Sequence, residues 1–258
     1  MNSEERKMLC KEIIEVLERV YPKQAALEWD NVGLLVGRTD KNVEKILVAL
    51  DATDEVNDEA IEKGIDMIVT HHPLLFSPLK KITDENLIGN RVVKLSQHDI
   101  PYYAMHTNYD ILGMADLSGN VLGLNDMEAL SEEGVGRVGY LEKACSLEAC
   151  CELVKERFQL DNVKVFGDIK SSVNRVAISP GSGKHMSSIA LQKGAQVLVT
   201  GDIDHHEGID AVAQGLAIID AGHYGLEHIF IEDISNYLMK HTDVSVEKEK
   251  IVHPFQVV

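Results

Sequence analysis

Two histidines in succession, His71 and His72, stand in the run THHP (Thr70–Pro73) directly after the apolar stretch DMIVT. A stretch that apolar reads as a buried strand, on which neighbouring side chains point to opposite faces. The turn into Pro73 allows both imidazoles to swing toward one cavity. A single histidine after a strand is ordinarily a structural hydrogen-bonding group, whereas a pair followed by further His/acid pairs favours a metal site. Such pairs follow: His106 and Asp110 in HTNYD, then His223 and Glu227 in HYGLE. The second has the i, i+4 spacing that puts both side chains on one helix face. Asn108 is a turn former, so Asp110 is expected in a loop, as a cap or as a ligand. All three clusters end strand-like runs, where open α/β sheets place their sites. Five or more nitrogen and oxygen donors exceed the three protein ligands of a single catalytic zinc. They suit two divalent ions about 3.5–4 Å apart with a bridging carboxylate. No cysteine joins them, so the ions are expected among Zn, Mn, Fe, Co and Ni.

The elements that must position these residues alternate along nearly the whole chain, as in an α/β protein. Strands are expected at Lys45–Asp51, Asp66–Thr70, Tyr102–His106, Gly136–Leu141, Val163–Phe166, Arg175–Ser179, Val197–Thr200 and Ala217–Ala221. Helices are expected at Asp54–Lys63, Leu147–Phe158, Lys184–Lys193 and Gly225–Lys240, with Gly64 and Gly194 as stops. The N-terminal segment has helical periodicity, with Ser3 as its cap. Asn125–Gly136, polar and rich in turn formers, shows the weakest pattern.

Lys45–His72 aligns without a gap on Arg175–Asp202 at an offset of 130 residues, sharing a strand–turn–helix–Gly–strand order. The strands that follow also correspond, placing His106 on His223 and Asp110 on Glu227. The chain therefore reads as two similar α/β lobes, about 1–125 and 136–258, with an intimate interface. Each ends a buried strand in His-x-x-x-acid.

Composition bounds the function. A formal charge of −17 and the lack of a basic stripe argue against nucleic acid as a partner. There is no apolar run of membrane-spanning length and no signal-peptide pattern, so the protein reads as cytoplasmic. Cys10, Cys145, Cys150 and Cys151 form no C-x-x-C pair and read as free thiols. The loop SPGSGKH (Ser179–His185) lacks the Walker A spacing, so its Gly181–Gly183 turn is either an anion nest or a plain tight turn. Asp202 and His206 occupy the second lobe's counterpart of His71 and His72, for support, substrate contact or solvent exposure.

Taken in order, EWDNVG (Glu28–Gly33), HHPL (His71–Leu74), HTNYD, GRVG (Gly136–Gly139), TGD (Thr200–Asp202) and GHYGLE (Gly222–Glu227) resemble the dinuclear-metal-centre hexamer family. That NIF-three-like family also goes by the name of type 2 GTP cyclohydrolase I homologues. The resemblance covers nearly the whole chain. It implies metal ligands at His71, His72, Asp110, His223 and Glu227, with Glu227 bridging, and His106 left spare as a general base or an orienting group. It also implies a toroidal homohexamer in a compact form, without the domain that longer members insert midway. The function to be expected is a metal-dependent hydrolase on a small nucleotide-like or phosphorylated substrate, with water activated by metal as the nucleophile. The alternative is a non-enzymatic metal-binding or regulatory scaffold.

Overall fold

The computed structural model describes residues 7–258, so the Ser3 cap lies outside the described residues. Two compact units are present. Unit one takes the chain up to Tyr109 together with Phe230–Lys250, and unit two takes Asp110–Ile229 with Ile251–Val258.

Unit one is built on a sheet whose core strands, Lys45–Ala49, Met67–Thr70 and Tyr102–Ala104, run parallel in that order. Gly33–Val36 closes one edge antiparallel to Tyr102–Ala104, and Ser245–Lys248 closes the other, parallel to Lys45–Ala49. Met67, Ile68 and Val69 are fully buried, as are Ile46, Leu47 and Val48. Burial of this kind stabilises by about 1.5–3 kcal/mol per large side chain. The crossover helix Asp54–Glu62 starts where the Thr53 hydroxyl accepts the Val56 N–H, worth about 1 kcal/mol, and stops before Gly64 at φ 64°.

Unit two repeats the plan. Ser172–Ser182, Val197–Gly201 and Ala217–Asp220 run parallel in that order, and Lys164–Phe166 closes the edge antiparallel to the third. The other edge differs, because the long strand Arg137–Ser146 pairs antiparallel with Ser172–Ser182 and carries Asn125–Ala129 outside it. The 130-residue offset holds down to single hydrogen bonds. The Asp66 carboxylate accepts the N–H groups of Glu44 and Lys45 at 2.9 and 3.1 Å. The Gln196 side-chain oxygen accepts those of Asn174 and Arg175 at 2.8 and 3.0 Å.

The structure departs from the sequence reading at four places. Unit one recruits Ile229–His241 almost whole and the strand after it, because the free edge of Lys45–Ala49 accepts Ser245–Lys248; neither unit is continuous in sequence. Asn125–Gly136 begins with a strand, which its polar side chains hid because it is a largely exposed edge. Helices Leu87–Gln97, Ala115–Leu122 and His205–Ala213 add to those expected. Asp110 lies in no loop: Thr107–Tyr109 is helical and Asp110–Met114 continues as a π turn. Asn108 takes no turn there because it is buried, donating its amide to the Tyr21 carbonyl at 2.8 Å. The four cysteines are free thiols. No helix among the described residues is long and apolar enough to cross a membrane.

Candidate metal centre

In unit one, the strand Met67–Thr70 ends immediately before His71 and His72, and Tyr102–Ala104 ends just before His106. The parallel ladder carries on past the strands, since the Met105 N–H donates to the Thr70 carbonyl at 2.8 Å. That contact brings the Met105 carbonyl to the His71 ring, whose Nδ1–H it accepts at 2.7 Å. The fully buried Tyr102 fixes the following turn. Its hydroxyl donates to the His72 carbonyl at 2.6 Å and accepts the Leu74 N–H at 2.9 Å. One ring nitrogen from each of His71, His72 and His106 then lies within 4.8 Å of the other two.

The other ring nitrogens show what these imidazoles are set up to do. His72 Nδ1 donates to the Asp51 carboxylate at 2.8 Å, and His106 Nδ1 to the Asp30 carboxylate at 2.9 Å. Together with His71, all three rings spend the Nδ1 proton on an oxygen that can only accept, which puts the lone pair on Nε2. This is the orientation and tautomer that metal-ligating histidines carry. Burial by itself would raise the Asp30 carboxyl. Hydrogen bonds from His106 and from the Thr107 side chain and backbone outweigh it and hold the group down at about 2.

In unit two, His223 opens the helix His223–Glu227 just after the strand Ala217–Asp220. His223 Nδ1 donates to Asp202 at 2.8 Å, and its Nε2 lies 3.0 Å from a carboxylate oxygen of the buried Glu227. The expected i, i+4 face is therefore formed. Gly181, at φ 77°, abuts the Glu227 carboxylate so closely that an added Cβ would collide with it. The glycines of SPGSG thus let backbone approach Glu227 and Thr200. His228, beside Glu227, is the contrast: its Nε2 donates to the Phe158 carbonyl at 2.9 Å, and burial pushes its pKa below the ordinary value.

The structure thus brings His71, His72 and His106 together in unit one and His223 with Glu227 in unit two; Asp110 is half-buried at the head of its π turn. Asp202 turns out to orient His223, while His206 is exposed on its helix. Asp30 and Asp51 were missed as orienting groups. Asp30 stands inside the quoted EWDNVG motif and Asp51 ends a predicted strand, so both carried a signal. These His, Asp and Glu groups are able to hold a metal ion, and their Nδ1 partners fit that use.

The parallel three-strand repeat and its strand-end histidines define the class. The chain belongs to the Duf34/NIF3 (NGG1p interacting factor 3) family, which matches residues 8–254. Among its relatives is the GTP cyclohydrolase 1 type 2 homolog of Clostridium acetobutylicum, 37% identical over 226 residues that make up 84% of each chain. The protein of the same name from Clostridium perfringens is 36% identical over 248 residues, covering 93% of this chain and 95% of that one. A Bacillus cereus protein related to NIF3 superposes with a TM-score of 0.93 at 26% identity, over 98% of this chain and all (100%) of the other. Reduced HcgD from Methanocaldococcus jannaschii gives 0.86 at 33% identity, over 94% of this chain and 98% of that one.

Proposed function

We propose that the chain is a metal-dependent hydrolase of a small nucleotide-like or phosphorylated substrate. Two divalent ions would be held by His71, His72, Asp110, His223 and Glu227, with Glu227 serving both. The observation that carries the reading is the shared setting of four imidazoles. Nδ1 of His71, His72, His106 and His223 each donates to an oxygen acceptor at 2.7–2.9 Å, which puts the lone pair on Nε2, for a cation in His71, His72 and His223 and for a proton in His106. When bound, such ions supply Lewis acidity and activate water for attack on a carbon or phosphorus centre. The chain's own contribution to proton movement is His106. With its Nδ1–H committed to Asp30, it takes or gives a proton at Nε2. The relatives' name, GTP cyclohydrolase 1 type 2 homolog, is in keeping with a nucleotide-like substrate. A homohexameric ring in the cytoplasm belongs to the same proposal and is tested by the mass of the assembly in solution.

The function is tested by reconstituting the protein with Zn, Mn, Fe, Co or Ni, desalting it, counting ions per chain and screening nucleotides and phosphate esters for hydrolysis. Two ions per chain are expected, with both depleted in Glu227→Gln and mainly one in His71→Ala or His72→Ala. A stoichiometry fixed at one despite excess metal would refute the dinuclear reading. Full metal with no hydrolysis of any ester or nucleotide would refute the enzyme.

A further inference from the structure

Next to the three histidines, unit one carries two large aromatic side chains that the fold leaves in the open. Trp29 is 60% exposed and Phe76 is 59% exposed. Their ring centroids lie 5.9 Å apart at 55°, and both rings meet His106, at 5.9 Å and 77° for Trp29 and at 6.4 Å and 74° for Phe76. None of these contacts is a parallel stack, and both rings stay more than half exposed. The pair borders a cavity of about 450 Å³, whose other walls include Asn31, Leu75, Pro78 and Ile82. That volume is within the range of small-molecule sites, roughly 300–1,000 Å³.

The aromatic pair is held by the same short segments that carry the site. Trp29, Asp30 and Asn31 are consecutive, and each has a separate task. Trp29 faces the cavity, Asp30 holds His106, and the Asn31 side-chain amide donates to the Leu75 carbonyl. Asn31 thereby ties the Trp29 segment to the one that runs from His71 and His72 to Phe76. Such bracing lowers the ordering cost of binding. His106 links the two features, because its ring centroid is 5.4 Å from that of His71 and 5.8 Å from that of His72. A flat ring lying on Trp29 or Phe76 would be a neighbour of His106, whose ring touches both.

We propose that Trp29 and Phe76 form a stacking subsite for a planar heteroaromatic ring, which positions the reacting part of the same molecule at His106. The inference rests on the hydrolase reading for what happens at His106, but the ring site can be tested without it. Trp29 is the only tryptophan in the chain, so its emission reports directly on the subsite. Metal-loaded and metal-stripped protein would be titrated with GMP, UMP and ribose 5-phosphate, and metal content measured on the same samples. GMP or UMP should quench Trp29 saturably, whereas ribose 5-phosphate should not.

Phe76→Ala, read by Trp29 emission, and Trp29→Ala, read by equilibrium dialysis, should each weaken nucleotide binding by roughly 5- to 150-fold. Both should keep wild-type metal content. Trp29→Phe and Phe76→Leu serve as controls that retain an apolar side chain, and Trp29→Phe, which is still aromatic, should keep most of the affinity. Ribose 5-phosphate binding as tightly as the nucleotides would overturn the subsite, as would unchanged nucleotide affinity in both alanine variants. A fall in assembly mass without any ring-dependent binding would make the pair a subunit contact, and would overturn it too. Ring-dependent quenching in a protein that takes up no metal on reconstitution keeps the subsite and removes the hydrolase. Full metal with no ring preference does the reverse.

Discussion

Replacing Asp30 by asparagine keeps the shape of a side chain that is fully buried (0% exposed) but removes one of its two acceptor oxygens. In the native fold, one carboxylate oxygen accepts His106 Nδ1–H at 2.9 Å and the Asn31 N–H at 2.7 Å. The other accepts the Thr107 N–H at 2.9 Å and the Thr107 hydroxyl at 2.6 Å. An amide group must therefore face either the Thr107 N–H or the Asn31 N–H, and in the second case His106 has to move its proton to Nε2. A carboxyl held at about 2 in the fold, against an ordinary 3.8, contributes about 2 kcal/mol at neutral pH. At roughly 2–4 °C per kcal/mol, Asp30→Asn should lower Tm by about 4–8 °C. The sign with pH follows from the lowered pKa: the contribution is complete above about 3.8 and is lost as pH falls through about 2. Urea midpoints of wild type and Asp30→Asn should thus differ by a constant amount from pH 8 to pH 4 and converge below. Hydrolysis should drop about 10- to 100-fold with metal content near normal, the scale for losing a group that orients an imidazole. Equal midpoints at pH 7, or a gap that closes between pH 8 and 5, would refute the account of Asp30.

His106→Ala should keep near-normal metal content and lose about 10²–10⁴-fold in hydrolysis, as for a missing general acid–base group; loss of an ion would make His106 a ligand. Gly181→Ala should cost more than 1 kcal/mol, because φ is 77° and the new methyl group would push on the Glu227 carboxylate, and should also lower metal content; a silent variant would show that Glu227 can yield. Burial, helped by the nearby Asp51 and Glu59 carboxylates, raises the Glu249 carboxyl to about 7 while it accepts the Leu50 N–H. The folded state then holds that proton more tightly, so wild-type stability should fall as pH rises from about 4.5 to 7. After discounting for its partial exposure, Glu249→Gln should remove about 1–2 kcal/mol of that fall; denaturation at pH 5 and pH 8 checks it.

What the sequence made legible follows from the strength of each local pattern. The buried parallel strands are continuous apolar runs, so Met67–Thr70 and Val197–Gly201 were placed almost to the residue. The helix His205–Ala213 was missed although Asp204 caps it by accepting the Glu207 N–H, because the His and Glu residues of its first turn hide the apolar period. Ser245–Lys248 was missed because an edge strand of four residues has no periodicity to read, and only its partner Lys45–Ala49 gives it a place. The donors stood out because histidine is rarely repeated at strand ends. Their orienting acids did not, since Asp30 and Asp51 are 76 and 21 residues from the rings they hold.

The internal repeat explains why donors were easier to find than their supports. Asp66 and Gln196 brace equivalent turns with equivalent hydrogen bonds, so the offset of 130 residues survives where the fold needs it. At the strand ends the equivalence breaks. The positions of His71 and His72 correspond to Gly201 and Asp202, and Asp202 orients a histidine instead of adding one. His106 and His223 occupy matching places, yet Asp30 from before the repeat holds the first and Asp202 from inside it holds the second. The backbone plan and the Nδ1 geometry are thus common to both units, whereas the residues that supply the acceptor differ. Chemistry at a strand end depends on a proton being held on Nδ1, and any segment that can deliver an oxygen there satisfies it.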